Sequence, residues 1–396
     1  MEYKWSDRVA RLEGNAIREI FKLLANPEVI SFAGGLPAKE GIPTELLRGI
    51  SQELLVGDLG YKILQYGATE GWEPLFESGA KYLEDSGIYG ANPKNMLLIS
   101  GGQQGIDLTF KAFINKGDTI LFENPTYLAS LHIAKTYEAN LVGVDADENG
   151  LSLSDLEEKI RKHNPKILYL VPNFSNPTGR TLSVEKRKAI AEMTAQYGVI
   201  VLEDDPYGKI RFEGEDVPAI KSFDKVGNVM YNTSFSKTVS PGLRVGIIHG
   251  DPAVIRKLTI GKQATDVHTA TLNQALVDVY LRRGLLYKTI DAVKPIYKEK
   301  KDAMIAAMEK YFPKEIKFTR PEGGLFIWCE GSETLDMASQ LMNVVKEKKV
   351  AYVAGNAFYA DGSGKNTFRL NYSNASFEQI ERGIKGLGDF IKNLIG

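Results

Sequence analysis

Cysteine is almost absent from this sequence, since Cys329 is the single one among 396 residues. One thiol excludes an internal disulfide, and a chain without disulfides is typical of a reducing compartment, so we expect a cytoplasmic protein. Cys329 ends the apolar run Leu325–Cys329. We therefore expect a buried structural thiol at this position rather than a reactive one.

Long apolar runs and a surplus of charge of one sign are also missing. No apolar stretch approaches the ~20 residues that a membrane-spanning helix needs, and Met1–Arg8 is charged and lacks the apolar core of a signal peptide. The formal net charge of −1 favours neither nucleic acid nor a membrane surface as a partner. The remaining composition, with 43% hydrophobic and 25% charged residues, is that of a globular chain able to bury a large core.

The chain does contain a regular alternation of short apolar runs with helical segments. Several runs are continuous rather than alternating, as expected for strands buried on both faces. The alternation predicts an α/β fold with a mostly parallel, seven-stranded sheet sandwiched by helices, in which ligands bind beyond the carboxyl ends of the strands. The predicted strands are Met96–Ile99, Thr119–Phe122, Leu141–Val144, Ile167–Val171, Val199–Leu202, Val229–Tyr231 and Val245–Ile248.

The two ends of the chain have a different pattern. Apolar residues spaced for one helix face predict an amphipathic helix over Arg8–Leu24. A long helical stretch, Leu272–Tyr311, is predicted to be interrupted near Gly284 and at Pro295. Shorter strands and helices follow up to a final helix at Phe377–Ile395, and they predict a second, smaller domain.

One loop, Asn232–Gly246, combines an amine, hydroxyls and a guanidinium. The Lys237 amine can form a Schiff base with an aldehyde cofactor, and Ser234, Ser236 and Arg244 can hold the phosphate of that cofactor. Pyridoxal 5'-phosphate (PLP) carries both groups.

Two other interpretations of this loop are open from the residues alone. Most lysines are solvated surface charges. In addition, Ser234-Phe-Ser-Lys237 fits the Ser-x-x-Lys pattern of penicillin-binding proteins and class A β-lactamases. Those enzymes also need Ser-Asp-Asn and Lys-Thr-Gly elements, and the sequence contains neither.

Polar residues also follow the other predicted strands at the point where each strand ends. Taken singly, each is more often a turn, a helix cap or a core residue than part of a site. Taken together they could supply a glycine-rich phosphate cup at a helix start, a ring to stack on the pyridine, donors to its phenolic oxygen and an acid at its nitrogen. These residues are, respectively, Gly102 and Gln103, Tyr127, Asn176 and Tyr207, and Asp204.

In combination these stretches resemble the fold-type I PLP-dependent aminotransferases of class I/II, and within them the subgroup of 2-aminoadipate and kynurenine aminotransferases. The resemblance covers nearly the whole chain. The matching stretches are Ile17-Arg18-Glu19, Ser31–Pro37, Leu64–Tyr66, Ser100–Gly105, Asn176–Gly179, Glu203–Tyr207, Ser234–Lys237 with Arg244, and Phe368-Arg369.

The resemblance implies roles for the residues that meet the cofactor. Lys237, Asp204 and Tyr207 would be the catalytic residues. Lys237 would hold PLP and move the proton at the substrate α-carbon, and Asp204 would keep the pyridine nitrogen protonated. Tyr66 would reach the phosphate of the neighbouring subunit, which implies a homodimer with shared active sites. No metal is implied.

The resemblance also implies a substrate pocket. Arg369 would grip the substrate α-carboxylate with two hydrogen bonds, and Asn176 and the backbone of Gly35 would complete that pocket. Arg18 would meet a distal carboxylate from the N-terminal helix. A solvated arginine at the edge of the apolar helix face is the alternative for Arg18.

The function implied is transfer of an amino group from an L-amino acid to a 2-oxo acid such as 2-oxoglutarate, by a ping-pong reaction. The donor could be 2-aminoadipate, glutamate, an aromatic or a branched-chain amino acid. A PLP-dependent β-lyase remains an alternative. An effector-sensing domain of a transcription regulator is another, but it would follow a DNA-binding domain, whereas here the resemblance starts almost at residue 1.

The domain boundaries that we predict follow from the resemblance and from the change of pattern. Residues 1–40 would form an N-terminal helix and a segment joining the small domain. Residues 41–284 would form the large PLP-binding domain, and residues 285–396 the small C-terminal domain.

Overall fold

The computed structural model of the chain describes residues 3–10, 26, 28–147 and 149–395. In this part of the chain the α-helices are α1 Asp7–Ala10, α2 Thr44–Leu54, α3 Gly57–Leu64, α4 Glu73–Glu84, α5 Gly102–Phe113, α6 Leu128–Thr136, α7 Leu153–His163, α8 Val184–Tyr197, α9 Pro252–Asp266, α10 Thr271–Arg282, α11 Leu285–Tyr311, α12 Met337–Lys348 and α13 Phe377–Ile395. Short 3-10 helices lie at Lys39–Gly41, Ile220–Phe223, Pro241–Leu243 and Gly355–Phe358.

The strands form one large sheet, one small sheet and one separate pair. They are β1 Ile30–Ser31, β2 Met96–Ile99, β3 Thr119–Asn124, β4 Asn140–Asp147, β5 Gly150–Leu151, β6 Ile167–Leu170, β7 Ile200–Asp204, β8 Val229–Ser234, β9 Gly246–His249, β10 Lys317–Phe318, β11 Phe326–Glu330, β12 Val350–Ala351, β13 Val353–Ala354 and β14 Thr367–Asn371.

The large sheet has the order β2-β9-β8-β7-β6-β3-β4-β5. Strands β8, β7, β6, β3 and β4 run parallel, and β9 is antiparallel to both of its neighbours. The predicted α/β fold with a mostly parallel sheet is therefore confirmed, and all seven predicted strands are present, but the sheet has eight strands rather than seven. The eighth strand, β5, pairs with the end of β4 over two residues, and a strand of two residues carries no periodicity that a sequence pattern can detect.

Helices cover both faces of the large sheet, which explains why its strands are continuous apolar runs. In β2, Leu97 and Ile99 pack in one hydrophobic cluster, while Met96 and Leu98 pack in another. Successive side chains of a strand point to opposite faces, so both faces need apolar residues. This arrangement leaves the carboxyl ends of the parallel strands as the edge where polar groups can collect.

The small sheet is antiparallel, with the order β10-β11-β14-β13. The N-terminal segment joins this C-terminal part through β1, since Ile30 pairs with Val350 in a parallel ladder. Helix α13 covers the same region with the buried face that includes Ile384 and Leu387. The residue boundaries between the domains stay a prediction.

The predicted break at Pro295 is wrong, because α11 runs without interruption from Leu285 to Tyr311. A proline in a helix removes one backbone hydrogen bond. Here Val293 and Tyr297, on either side of it, are buried, so tertiary packing keeps both halves in one helix. The break predicted near Gly284 is present, since this residue separates α10 from α11 with a φ of 64°.

Most of the predicted N-terminal helix, including Arg18, lies outside the described residues. Its first three residues, Arg8–Ala10, are described and are helical as part of α1. Within the described residues, no helix is long and apolar enough to cross a membrane.

Candidate active site

A cavity of about 580 Å³ opens at the carboxyl ends of the parallel strands. It is bounded on one side by the large sheet and on the other by the N-terminal segment and β14 of the small sheet. The structure brings together in its walls most of the site residues predicted from the sequence: Gly35, Gly102, Gln103, Tyr127, Asn176, Asp204, Tyr207, Ser234, Ser236, Lys237, Arg244 and Arg369.

Lys237 lies three residues beyond the end of β8, and its amine points into the cavity. Its Nζ donates a hydrogen bond to the carbonyl oxygen of Gly35 at 2.6 Å. Burial, together with the positive charges of Arg369 and Arg244, lowers the pKa of Lys237 to about 8. The amine is therefore neutral more often near pH 7 than an exposed lysine, as a nucleophile or proton acceptor requires.

Asp204 is the last residue of β7, and neutral groups hold both of its oxygens. Oδ2 accepts from the Tyr169 hydroxyl at 2.7 Å, and Oδ1 accepts from Asn232 Nδ2 at 2.9 Å. Burial raises the pKa of Asp204 to about 7. A buried acid held only by neutral donors in the described part of the chain gains most from a cationic ligand atom beside it.

Sequence reasoning missed Tyr169 and Asn232, the two residues that orient Asp204. Tyr169 lies inside the apolar run that predicts β6, where it reads as a strand residue. Asn232 lies inside β8, at a fully buried position. A phenol and an amide within buried strands are the signals that could have found them, because buried polar groups need partners.

Another part of the cavity wall carries hydroxyls and a guanidinium. The Ser234 and Ser236 hydroxyls lie 2.7 Å apart, and Ser236 Oγ accepts from Arg244 Nη1 at 3.3 Å. Helix α5 begins there at Gly102, and the first N–H groups of a helix have no acceptor within it. Hydroxyls, an arginine and a helix N-terminus together suit a phosphate dianion.

Gly101 explains how the guanidinium and the helix start come so close. Its φ is +83°, and a Cβ atom at this position would lie 2.4 Å from Arg244 Nη2. A side chain at Gly101 would therefore displace Arg244 from the helix start.

Arg369 on β14 is a buried cation with neutral partners. Its Nη1 donates to Asn176 Oδ1 at 2.7 Å and its Nη2 to the Ala33 carbonyl oxygen at 2.6 Å, while the guanidinium carbon lies 4.3 Å from the centre of the Phe326 ring. Arg369 Nε is buried and has no hydrogen-bond partner among the residues that the structure describes. Burial lowers the pKa of Arg369 to about 10. An anionic ligand in the cavity would therefore stabilise the charged form of this buried guanidinium.

Two tyrosines line the cavity as neutral phenols. Burial raises the pKa of Tyr127 to about 12 and also raises the pKa of Tyr207. The Tyr207 ring packs edge-on against Phe326, with ring centres 5.8 Å apart. Both rings are therefore available as surfaces and hydrogen-bond donors in the protonated form.

The rest of the wall is largely apolar and was not predicted from the sequence. Helix α6 turns a face with His132, Ile133 and Thr136 towards the cavity, and Leu36 and Ile106 add to it. The spacing of the α6 residues is typical of one helix face. Which face of the helix meets the cavity depends on packing, so the sequence carried no signal for this wall.

Tyr66 does not line this cavity. It follows α3 on the surface with 83% of its area exposed, and its ring lies edge-on to His268. Arg18 falls outside the described residues, so its predicted place at the site stays a prediction.

The donor set of the cavity fits PLP. The hydroxyls, Arg244 and the start of α5 match a phosphate. The Asp204 carboxylate, whose donors Tyr169 and Asn232 are neutral, matches a protonated pyridine nitrogen. Tyr127 offers a ring surface, and Lys237 offers the amine for an aldehyde. Each of these groups lies in the wall of the same cavity.

A second cavity, of about 470 Å³, lies beside α11 and holds none of the predicted site residues. Several of its lining residues form ion pairs, including Arg211 with Glu322 at 2.8 Å and Lys298 with Glu213 at 3.0 Å.

The comparisons with known proteins agree with this chemistry. The model of the family described as aminotransferase class I and II matches residues 48–387. The chain is 40% identical to aromatic-amino-acid aminotransferase 1 of Thermococcus litoralis, over 99% of this chain and 94% of that protein. It is 36% identical to the 2-aminoadipate transaminase of Thermus thermophilus, over 99% of this chain and 98% of that protein.

A solved structure extends the match to three dimensions. The kynurenine aminotransferase of Pyrococcus horikoshii superposes with a TM-score of 0.95 at 38% identity, covering 99% of this chain and 98% of that one. The matched region includes nearly every residue discussed above, so this chain belongs to the class I and II aminotransferases and transfers amino groups with PLP as its cofactor.

Proposed function

We propose that this aminotransferase takes L-amino acids with large side chains as donors and a 2-oxo acid such as 2-oxoglutarate as acceptor. The donors include aromatic amino acids, kynurenine, 2-aminoadipate, glutamate and branched-chain amino acids. The observation that carries the proposal is that Lys237 and the buried Arg369 share one cavity whose remaining wall is mostly apolar. The names of the relatives reported above support the aromatic amino acids, 2-aminoadipate and kynurenine within this range.

Arg369 and Asn176 would bind the α-carboxylate. The guanidinium is held in place by Asn176, by the Ala33 carbonyl and by the face of Phe326, so it needs little reordering when a carboxylate arrives. A charge-assisted, two-pronged contact in a buried site fixes the direction of the α-carbon as well as its position.

PLP supplies an aldehyde that takes up the amino group and a protonated ring that accepts the electron pair of the α-carbon. Asp204 would hold the proton on the ring nitrogen through its buried carboxylate. Lys237 Nζ would remove the proton from the substrate α-carbon and return it, which its lowered pKa favours. Tyr207 would donate a hydrogen bond from its neutral hydroxyl to the phenolic oxygen of PLP.

The wall of α6 would receive the substrate side chain. Ile133, Leu36 and Ile106 offer apolar contact, and His132 and Thr136 offer hydrogen bonds to a polar end. This mixture suits aromatic and aliphatic side chains and tolerates a distal polar group.

A transamination panel with 2-oxoglutarate tests the proposal. We expect glutamate to form from phenylalanine, kynurenine, 2-aminoadipate and leucine, with kcat/KM values well above that for alanine. Preference for alanine over all of them would contradict the proposed substrate class. Pyruvate and ammonia from β-substituted amino acids would support the β-lyase alternative, and binding without turnover would support the effector-sensing one.

The active form would be a homodimer with shared sites. Tyr66 is too exposed for a residue that binds the phosphate in its own subunit, and it stands beside a row of exposed apolar side chains on and around α3. These are Leu55, Val56, Leu59, Tyr61 and Leu64. Contact with a second copy would bury this row and bring Tyr66 to the partner's cavity.

Hybrid dimers test the shared site. Lys237→Ala and Tyr66→Phe subunits, mixed after separate purification, should form dimers in which one site combines an intact Lys237 with an intact Tyr66. Activity of the mixture should exceed that of either variant alone and approach a quarter of the wild-type value in equal mixture. A mixture no more active than its parts would place Tyr66 in its own subunit's site. Tyr89→Phe, at an exposed tyrosine away from α3, is the matched control.

A further inference from the structure

We propose that His268 is a positioning residue for the partner's cofactor site, because it holds the Tyr66 loop in the form that reaches across the dimer. The Tyr66 loop is defined here as residues 65–67. This inference rests on the proposed function, since it assumes that Tyr66 binds the cofactor phosphate of the neighbouring subunit.

His268 contacts the loop in two ways. Its Nε2 accepts a hydrogen bond from the Gly67 backbone N–H at 3.2 Å, across 201 residues of sequence. Its ring meets the Tyr66 ring edge-on, with centres 6.0 Å apart and planes at 81°. Tyr66 is largely exposed within its own subunit. These two contacts with His268 therefore help to orient its side chain.

The hydrogen bonds of His268 determine its tautomer. Nδ1 lies 2.9 Å from the Thr269 carbonyl oxygen, and a carbonyl oxygen can only accept, so Nδ1 carries the proton. The lone pair of the neutral ring is then on Nε2, where the Gly67 N–H requires it. A side chain without an acceptor at this position would leave that N–H without its protein partner.

The backbone at Val267, directly before His268, is in a strained conformation. Val267 has a φ of +64° and a ψ of −60°, and His268 N–H donates to the Asp266 carbonyl at 2.7 Å. This is a γ-turn at positive φ, a rare conformation that is costly for a β-branched residue. Such strain persists only when neighbouring contacts determine the backbone.

Contacts on both sides of the turn provide that restraint. Before it, the Asp266 carboxylate accepts from Ser100 Oγ at 2.8 Å and from Gln104 Nε2 at 2.7 Å. After it, the Thr269 carbonyl accepts from Gln274 Nε2 at 2.6 Å, and Gln274 Oε1 accepts from the Trp72 N–H at 2.8 Å.

One segment, residues 266–274, therefore fastens two parts of the proposed site. Through Ser100 and Gln104 it holds the start of α5, which carries the phosphate-binding backbone of its own subunit. Through Gly67 and Trp72 it holds the loop whose tyrosine would serve the partner. We infer that His268 transmits the position of this rigid segment to the Tyr66 loop.

The experiment compares PLP release from three holoenzyme variants. His268→Phe keeps a ring but has no acceptor for the Gly67 N–H. His268→Gln supplies an amide oxygen in nearly the same place. His163→Phe, at the end of α7, is the matched control for loss of a histidine. PLP release is followed by cofactor absorbance after dilution, together with dimer mass and the unfolding midpoint.

We expect His268→Phe to release PLP about five- to tenfold faster, the effect of one lost hydrogen bond, with unchanged dimer mass. The release rate of His268→Gln should stay within about twofold of the wild-type rate. The release rate of His163→Phe should equal the wild-type rate. Wild-type release from His268→Phe would overturn the inference, and so would equal acceleration in the phenylalanine and glutamine variants.

Combination with Tyr66→Phe separates positioning from general destabilisation. If His268 acts through Tyr66, the double variant releases PLP no faster than Tyr66→Phe alone. Additive effects would overturn the inference. Unchanged release from Tyr66→Phe itself would instead overturn the shared site, and with it this inference, so the two failures are distinguishable.

Hybrid dimers give the last discrimination. In a dimer of His268→Phe and Lys237→Ala subunits, the one site with Lys237 receives Tyr66 from the subunit whose His268 is intact. The lysine-linked absorbance of that site should decay at the wild-type rate. Fast decay would show that His268 acts on its own subunit's site, contrary to the inference.

Discussion

Three consecutive acids, Glu203, Asp204 and Asp205, have three different surroundings. Glu203 accepts from the backbone N–H groups of Ile220 and Lys221, both at 2.8 Å. Asp205 accepts from three neutral donors, namely Asn173 Nδ2, the Tyr231 hydroxyl and the Gly208 N–H. Only Asp204 lines the cavity. The hydrogen bonds that Glu203 and Asp205 accept therefore stabilise the segments around Asp204.

Replacement of Asp204 tests its charge. In Asp204→Asn the side chain keeps its shape but loses the carboxylate, so it no longer favours a protonated ring nitrogen. We expect turnover to fall by about 100- to 1000-fold while bound PLP stays above half of the wild-type content. Tyr169→Phe keeps the carboxylate and removes one hydrogen bond, and should cost about tenfold or less. Wild-type turnover in Asp204→Asn would refute the role of the charge.

Replacement of Arg369 tests carboxylate binding. Arg369→Lys keeps a positive charge but loses the planar pair of donors, and Arg369→Ala loses both. We expect kcat/KM for amino acids to fall about 30-fold or more in the alanine variant, less in the lysine variant, with bound PLP unchanged in both. Arg320→Ala, at an exposed ion pair with Glu309, is the control. Loss of PLP in step with substrate affinity would indicate a structural role.

At the scale of elements, the start of α5 is joined to β8 by close packing rather than by a flexible loop. Asn232 on β8 donates to the Gly102 carbonyl at 3.0 Å as well as to Asp204. A Cβ atom on Gly105, one turn further along, would lie 2.0 Å from Asn232 Oδ1. The glycine therefore lets the helix approach the strand that orients the acid.

Gly105→Ala should disturb the acid through Asn232. Because Asn232 is fully buried, it cannot swing aside without breaking its hydrogen bond to Asp204. We expect a loss of about 1–3 kcal/mol in the free energy of unfolding and at least a tenfold loss of turnover. Gly261→Ala in α9, whose Cβ atom would lie 3.5 Å from Leu108, should be neutral or slightly stabilising. Equal behaviour of both variants would contradict this packing argument.

At the scale of the whole molecule, the large sheet buries a titratable group that no step of the chemistry uses. His249 ends β9 between β2 and β8, and within the described part of the chain neither of its ring nitrogens has a hydrogen-bond partner. Burial lowers the pKa of His249 from 6.5 to about 4, aided by Lys221 and opposed by Asp224. Below its unfolded-state pKa the unfolded chain takes up a proton that the folded chain excludes.

The stability of the fold should therefore depend on pH at His249. Its contribution is complete above pH 6.5 and is lost as the pH falls towards 4, by up to about 3 kcal/mol. His249→Leu removes this titration, so the difference in unfolding free energy between variant and wild type should shift in favour of the variant across that window. Glu123 and Glu203, whose pKa values burial raises to about 7, titrate in both proteins and cancel. A difference independent of pH would refute the assignment.

The sequence by itself predicted seven of the eight strands of the large sheet, the family and the cofactor. Strands buried on both faces must be apolar throughout, and this pattern is visible in one sequence. PLP chemistry requires an amine, an acid and phosphate donors, and these residue types are also visible in one sequence. The roles given to the site residues, the dimer, the domain boundaries and the cytoplasmic location stay predictions.

Only the tertiary structure decided which groups support those residues. Tyr169, Asn232 and His268 act through contacts between segments far apart in the chain. A polar residue within a buried strand indicates that it needs a partner, but the local sequence does not identify that partner. The same holds for α11, which continues through Pro295 because packing on both sides outweighs one missing hydrogen bond. Local sequence reports what a segment can bury and what chemistry it can offer, whereas orientation depends on which segments meet, and that is settled by the packing of the whole chain.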